Sequence, residues 1–444
     1  MKLLYALLIS IIFFGCSFDN KSGIWKNENN DLEDIEKNNV FKEFKKISLL
    51  QNSFEEIIPI DKSFTFKIKK AAGNSKWKDI FYNNNNNLKN FSYNNLNQIV
   101  FKSKKLSKYK TSNFLLFENN NLILNDSKGN IIIYSITEDR IVSKFNFYKK
   151  RYKKFHKNLN LLVNENIIYV TDNLGYSYAY NYKIQKILWA KNFKIPFRSN
   201  LKISKNKLIA ASQNNDLYFI NKNNGNLLNL VPTEENILKN EFVNNLSISE
   251  NYGLFYLNSY GSLYSIDLET MRINWFINLN QSSDLNTSNL FLGNQIINDE
   301  ERIIISSNTY TYIVEAETGA ILSKFNFSSN LKPILHNDYV FFITKKNIIL
   351  SYDIKKNKII YSYKLNEIVA DYLDTKEKNL VLSKFMLLNG EIFIFLKNSY
   401  LLVFEINGRI KELKKLPSKI KSFPIVIDNS LLYLNHKKKL VIVD

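Results

Sequence analysis

The chain has 444 residues and a formal charge of +20; 45% of its side chains are apolar, 14% are aromatic, and it carries a single cysteine. That much apolar matter supports a large core, while one cysteine excludes an internal disulfide framework. Basic residues are spread along nearly the whole length over a background rich in Lys, Asn and Ile, which is a compositional bias and not a nucleic-acid-binding stripe; a polyanion binder would show strongly salt-dependent affinity.

Residues 1–15 read as a signal peptide: Lys2 is the charged start, and 3–14 is an apolar run too short to span a bilayer. Phe13-Phe14-Gly15-Cys16 resembles a bacterial lipobox, with Phe where Leu or Val is usual. The resemblance implies cleavage before Cys16 and acylation of that residue as a membrane anchor. Ser17, instead of Asp, follows it, which implies sorting to the periplasmic face of the outer membrane.

Residues 16–60 form a tether. Within it Ile35, Val40, Phe41, Phe44, Ile47, Leu50 and Phe54 recur near helical spacing, predicting an amphipathic helix over 32–54. Strict alternation returns at 60–70 (IDKSFTFKIKK) and predicts a strand. The five asparagines at 83–87 read as a low-complexity loop with no chemistry of their own.

From residue 122 onward one pattern recurs. It reads LILNDSKGNIIIYSITEDRIVSKFNF at 122–147 and IIYVTDNLGYSYAYNYKIQKILWAKNF at 167–193, and it returns at 208–230, 303–327, 340–365, 392–413 and 431–444. The copy at 252–280 divides into three alternating runs, 253–257, 262–267 and 272–279, separated by tight turns, with a fourth strand expected upstream. The turn residues Gly129, Gly175, Asn215, Gly261, Thr309, Asn347, Ser399 and Lys438 mark the copies at intervals of roughly 38–52 residues, the length of a four-stranded propeller blade. The predicted architecture is an all-β, eight-bladed β-propeller of four-stranded antiparallel blades over 61–444. The final copy is one strand short, and 63–69 is assigned to complete it, closing the ring through an N-terminal strand and removing exposed edges. Register is least defined at the 366–389 insertion.

Little catalytic chemistry is legible. His156, His336 and His436 fall in different blades, no paired Cys/His spacing suits zinc, and neither a Gly-x-Ser-x-Gly elbow nor a Walker-type loop occurs. Asp267, Glu315, Asp353 and Glu405 recur at the blade period and are read as turn caps. No catalytic, cofactor-binding or metal-binding residue is assigned.

Glu317-Thr318-Gly319 together with Trp189 and Trp275 resembles the pyrroloquinoline-quinone-type propeller repeat. In quinoprotein dehydrogenases of that kind the resemblance implies calcium-binding carboxylates, a catalytic Asp and a vicinal cysteine pair, and one cysteine cannot form such a pair. The order of parts (lipobox, tether, a lead-in with Trp77, eight blades) more closely resembles the BamB family, lipoprotein subunits of the outer-membrane β-barrel assembly machine. That resemblance implies a non-enzymatic scaffold that docks on a POTRA domain of the barrel-forming subunit BamA and aids insertion of outer-membrane proteins, with no cofactor. Two loops are implied in docking. One carries Pro196, Phe197 and Arg198, where an exposed Phe197 would bury apolar area beside the guanidinium; the other carries Glu241 and Asn244, with Asn244 where an Asp is usual. Arg198 can equally be a solvated charge. The alternative reading is an exported PQQ-type quinoprotein or sugar-binding propeller enzyme.

Overall fold

The computed structural model describes residues 54–148, 152, 154–235, 245–279, 295–329 and 331–444. Residues 1–15, Cys16, the 32–54 helix apart from its last residue, Glu241 and Asn244 lie outside these. The described residues form eight four-stranded antiparallel sheets, each the blade of a propeller. The fourth blade shows the rule. Its strands Asn245–Ser249, Gly253–Leu257, Ser262–Ile266 and Ile273–Asn278 pair in sequence order, so the expected upstream strand is present.

The turn markers are physical. Gly129, Gly175, Asn215, Gly261, Asn347, Ser399 and Lys438 all adopt positive φ. The amide of each donates to a carbonyl three residues back, as from Gly129 to Asp126 and from Asn347 to Thr344. Gly and Asn recur there because the left-handed turn costs them least. Thr309 is the exception, its turn closing through Ser307 and Tyr310 instead. Within blades the middle strands are buried throughout, as in Asn130–Ser135 and Ser262–Ile266, while outer strands alternate toward solvent.

Neighbouring blades interlock through a large ring and a glycine. Trp189, on the outer strand Lys186–Asn192 of the second blade, lies so close to Gly225 of the third that a Cβ there would come within 2.4 Å of the indole. Trp275 meets Gly319 in the same way, at 2.7 Å. This contact is the physical content of the Gly and Trp positions in the repeat.

The ring closes differently from the sequence expectation. The fourth strand of the last blade is Ile99–Lys105, paired antiparallel with Lys439–Val443, and not 63–69. An outer strand needs few apolar residues, and Ile99–Lys105 (IVFKSKK) is mostly exposed. In 63–69 the apolar residues alternate instead and lie on one side: Phe64, Phe66 and Ile68, partly buried, pack on the core shared by the sixth and seventh blades, and the Phe66 ring lies 5.0 Å from that of Tyr339. The 366–389 insertion contains the helix Leu365–Leu373, which ends on Asp374 in the left-handed conformation.

Between these segments, residues 74–94 make one circuit of the central channel and bond to the inner part of every blade in turn. Asn74 Nδ2 donates to Val426 O at 2.7 Å, Trp77 and Phe117 exchange backbone bonds at 2.8 Å, and Val163 N donates to Lys78 O. Lys202 Nζ reaches Asp79, Ile248 N donates to Asn84 O, and Asn298 N donates to Asn85 O. Asn87 and Leu335 bond reciprocally, and Phe91 pairs with Leu388. The asparagine run is therefore structural. Asn86 Nδ2 donates to both Leu246 O and Ile296 O, tying the fourth blade to the approach to the fifth. A short amide that both donates and accepts suits inner strand edges that would otherwise stay unpaired.

Candidate functional site

Arg198 lies on the loop joining the second and third blades, and the loop is held firmly. Phe197 N donates to Asp172 O at 3.0 Å, Arg198 N to Ala211 O at 3.0 Å, and Gln213 N to Pro196 O at 2.7 Å. The Phe197–Ser212 bridge recurs as Thr111–Asp126, Ser329–Thr344 and Ile420–Asn435, so the loop is a standard strut of the ring.

Phe197 itself is not exposed. It is 2% accessible, in the cluster shared by the second and third blades, with its ring 5.4 Å from Tyr218 and 5.7 Å from Phe193. It cannot offer an apolar contact to a partner; it anchors the loop from beneath. A local reading could not tell these roles apart, because the strut places its aromatic residue inward by a backbone bridge distant in sequence.

The Arg198 guanidinium is under-satisfied. Nη2 donates to Gln213 Oε1 at a long 3.4 Å, and Nε is enclosed without a hydrogen-bond partner. The enclosed Nε is out of a partner's reach, so an incoming carboxylate would have to meet the Nη side of the guanidinium. Acidic side chains on the next turn and loop were missed by the sequence reading. Asn214, beside Gln213, donates to Glu235 Oε1 at 3.5 Å, and Glu235 is exposed. Burial, with Glu235 adding to it, pushes the Asp216 carboxyl above its ordinary range. Glu234 is occupied internally, accepting from Tyr264 at 2.8 Å and Asn258 at 3.0 Å. The signal available was the acidic pair itself, Glu234 and Glu235, a few residues before the expected Glu241 in the same inter-blade connection.

On the same loop-and-turn face the channel opens into a cup of about 660 Å³, floored by Ile80 and Phe81 and bordered by Asp126, His156, Lys157 and Lys345. Its chemistry is that of a built turn. Asp126 accepts from Ser107 at 2.7 Å, from Lys128 N at 3.0 Å and from Asn130 Nδ2 at 2.9 Å, so its oxygens are committed to structure. Among the described residues no group of three or more His, Cys, Asp or Glu could hold a metal ion. Among the described residues the carboxylate cluster that a calcium-dependent quinone site requires is not assembled, and Ile80 and Phe81 line the channel there. The described residues therefore do not fit that cofactor. The recurrent acids act as turn caps: Asp267 accepts from Glu269 N and Thr270 N, bonds that hold its carboxyl below the ordinary range, and Asp353 accepts from Lys356 N at 3.0 Å.

The outer edges form a second surface. Leu227, Leu228 and Leu230 on the third blade, Ile273 and Phe276 on the fourth, and Ile321 and Leu322 on the fifth are exposed, Phe276 by 59%. On the sixth blade the chain covers its own edge: Ile58 exchanges backbone bonds with Ser362 at 3.1 and 2.9 Å.

A family model described as outer membrane protein assembly factor BamB matches residues 127–363. No curated protein matches the sequence. Among solved structures, BamB from Moraxella catarrhalis has a TM-score of 0.58 at 11% identity, covering 78% of this chain and 99% of its own. A europium-containing methanol dehydrogenase gives 0.59 at 11% identity, over 83% and 89%. A quinohemoprotein alcohol dehydrogenase from Comamonas testosteroni gives 0.62 at 9% identity, over 84% and 81%. At such identities the structural likeness is one of fold.

Proposed function

Because the chain belongs to the family of the outer membrane protein assembly factor BamB, we propose that it is a non-enzymatic scaffold lipoprotein of the outer-membrane β-barrel assembly machinery. In this reading, lipid on Cys16 holds it at the periplasmic face of the outer membrane. It docks on a POTRA domain of a BamA-type barrel subunit and aids insertion of outer-membrane proteins.

The observation that carries the reading is the Arg198 guanidinium, under-satisfied on a loop pinned by backbone bonds and by buried Phe197. A pre-organised cation held only by one long hydrogen bond is an efficient interface anchor, since little side-chain order is lost on binding. Glu235, close by through Asn214 and Gln213, supplies an acidic counterpart within the described residues; Glu241 and Asn244 remain proposed on the resemblance alone. The exposed apolar outer edges fit a second role, in which an extended segment of an unfolded outer-membrane protein pairs with an edge strand. The Ile58–Ser362 pairing supports it, because there an extended segment already occupies an outer edge.

A second reading, an exported PQQ-type or sugar-binding enzyme, draws on the shared fold of the two dehydrogenases and on the 660 Å³ cup. An affinity pull-down of the full chain from detergent-solubilised outer membranes separates the two. Recovery of the barrel-forming subunit supports the scaffold. No recovery with the lipoprotein intact removes that support and turns attention to cofactor-dependent turnover.

A further inference from the structure

Below the cup the channel holds a second cavity of about 200 Å³. Its walls include the rings of Phe81, Phe114, Phe385 and Phe423, and two lysines face it, Lys332 and Lys384. Lys332 approaches from the segment before the inner strand of the sixth blade, and Lys384 from the inner strand of the seventh, Leu382–Leu388.

Among the described residues the two side-chain amines have carbonyl partners and no carboxylate. Lys332 Nζ donates to Asn86 O at 2.5 Å and lies 3.5 Å from Phe81 O. Lys384 Nζ donates to Pro424 O at 3.1 Å and sits 5.0 Å from the centre of the Trp77 ring. The carboxylate that influences the group, Asp79, is 2.6 Å from a third lysine, Lys202. Holding charge on two enclosed amines without a counter-charge is unfavourable, and an anion between them restores that charge. Burial lowers both groups below the ordinary lysine range, Lys384 to about 7, and Lys332 is lowered further by Lys384 and Lys202.

The shape adds a second constraint. An apolar cavity of about 150 Å³ accepts a benzene ring, so one of about 200 Å³ has room for a single ring with a short acidic arm. The two cavities share Ile80, Phe81, Phe114 and Gln295, so the cup leads into the lower chamber. Lys157 and Lys345 border the cup and favour entry of an anion.

We propose that the channel binds a small aromatic carboxylate, its carboxylate held between Lys332 and Lys384 and its ring among the four phenylalanines. This site is separate from the Arg198 loop, so docking and ligand binding can fail independently.

The test is calorimetric titration of the full chain in detergent with phenylacetate, with phenylacetamide and benzylamine as controls, up to about 10 mM. Phenylacetate is expected to bind and both controls to bind at least about tenfold more weakly. Repeating the titration at pH 8 in buffers of different ionisation heat should show proton uptake, because the anion draws protons back onto the lysines facing it; Lys202 and Asp79 are the other charged groups at the site. The Lys332→Met/Lys384→Met variant, checked for native circular dichroism, should lose the preference for carboxylate over amide. Equal binding of acid and amide, absence of phenylacetate binding, or binding without proton uptake would each overturn the proposal, even if the variant fails to fold.

Discussion

The Lys202 ammonium lies 2.6 Å from the Asp79 carboxylate, with 0% and 4% of the two side chains accessible, and it also donates to Asn83 O at 2.7 Å and Asn86 Oδ1 at 2.6 Å. One lysine on an inner strand thus holds three points of the segment that circles the channel. Burial pushes the Lys202 amine below its ordinary range and Asp79 draws it back up. Asp79→Ala would leave that cation buried and unpaired, at a cost of about 3–5 kcal/mol. Joint replacement, Asp79→Leu with Lys202→Met, is expected to recover most of the loss. Urea denaturation of both variants followed by circular dichroism measures the difference.

The contact from Lys69 to His336 makes the inner N-terminal segment sensitive to acid. Lys69 N donates to His336 Nε2 at 2.9 Å, so the ring is neutral, and burial with the nearby Lys69 charge lowers its pKa to about 4. The unfolded value is near 6.5, so the unfolded chain takes up the proton first as pH falls. The contact therefore contributes fully above about pH 6.5 and is lost progressively toward pH 4, a change of about 1–2 kcal/mol after allowing for solvent. Denaturation midpoints between pH 7 and 4.5 should fall more steeply for the wild type than for His336→Gln.

The ring-on-glycine interlock is testable at Gly319. Its φ is +79°, and a Cβ there would come within 2.7 Å of Trp275. Gly319→Val combines backbone strain with displacement of a packed indole, and a loss of about 2–4 kcal/mol is expected. Trp275→Leu in the same chain should relieve the collision but leave the strain, so thermal unfolding of the double variant should recover only part of the loss.

Anchoring has a simple readout. Cys16→Ser is expected to release the chain from the membrane fraction into the soluble periplasmic fraction, and to abolish incorporation of labelled palmitate. Continued membrane retention at high salt would count against the lipid anchor.

The blade rhythm was legible because each copy must turn tightly at one place, and positive φ at Gly129, Gly175 or Asn347 leaves a compositional trace. Closure was not, because 63–69 alternates as a strand should, whereas the true closing strand 99–105 reads IVFKSKK, with no alternation to mark it. The asparagine run was unreadable for a related reason: its meaning lies in carbonyls such as Leu246 and Ile296, more than a hundred residues away. Phe197 was misjudged as exposed because Arg198 and the exposed Lys194 surround it with charge in sequence, whereas the bridge to Ser212 turns its ring inward. Arg198 remains a proposed anchor, now with buried Phe197 beneath its loop and with Glu235 added to the proposal.

The most direct test of the scaffold reading is a binding titration of the purified chain against the isolated POTRA domains of the barrel-forming subunit. Wild-type binding, weakened about thirtyfold or more in Arg198→Glu with an unchanged circular dichroism spectrum, is the predicted result. Glu235→Lys should weaken it by a smaller factor. Equal affinity of wild type and Arg198→Glu would contradict the docking surface, and no binding by the wild type would contradict the scaffold itself.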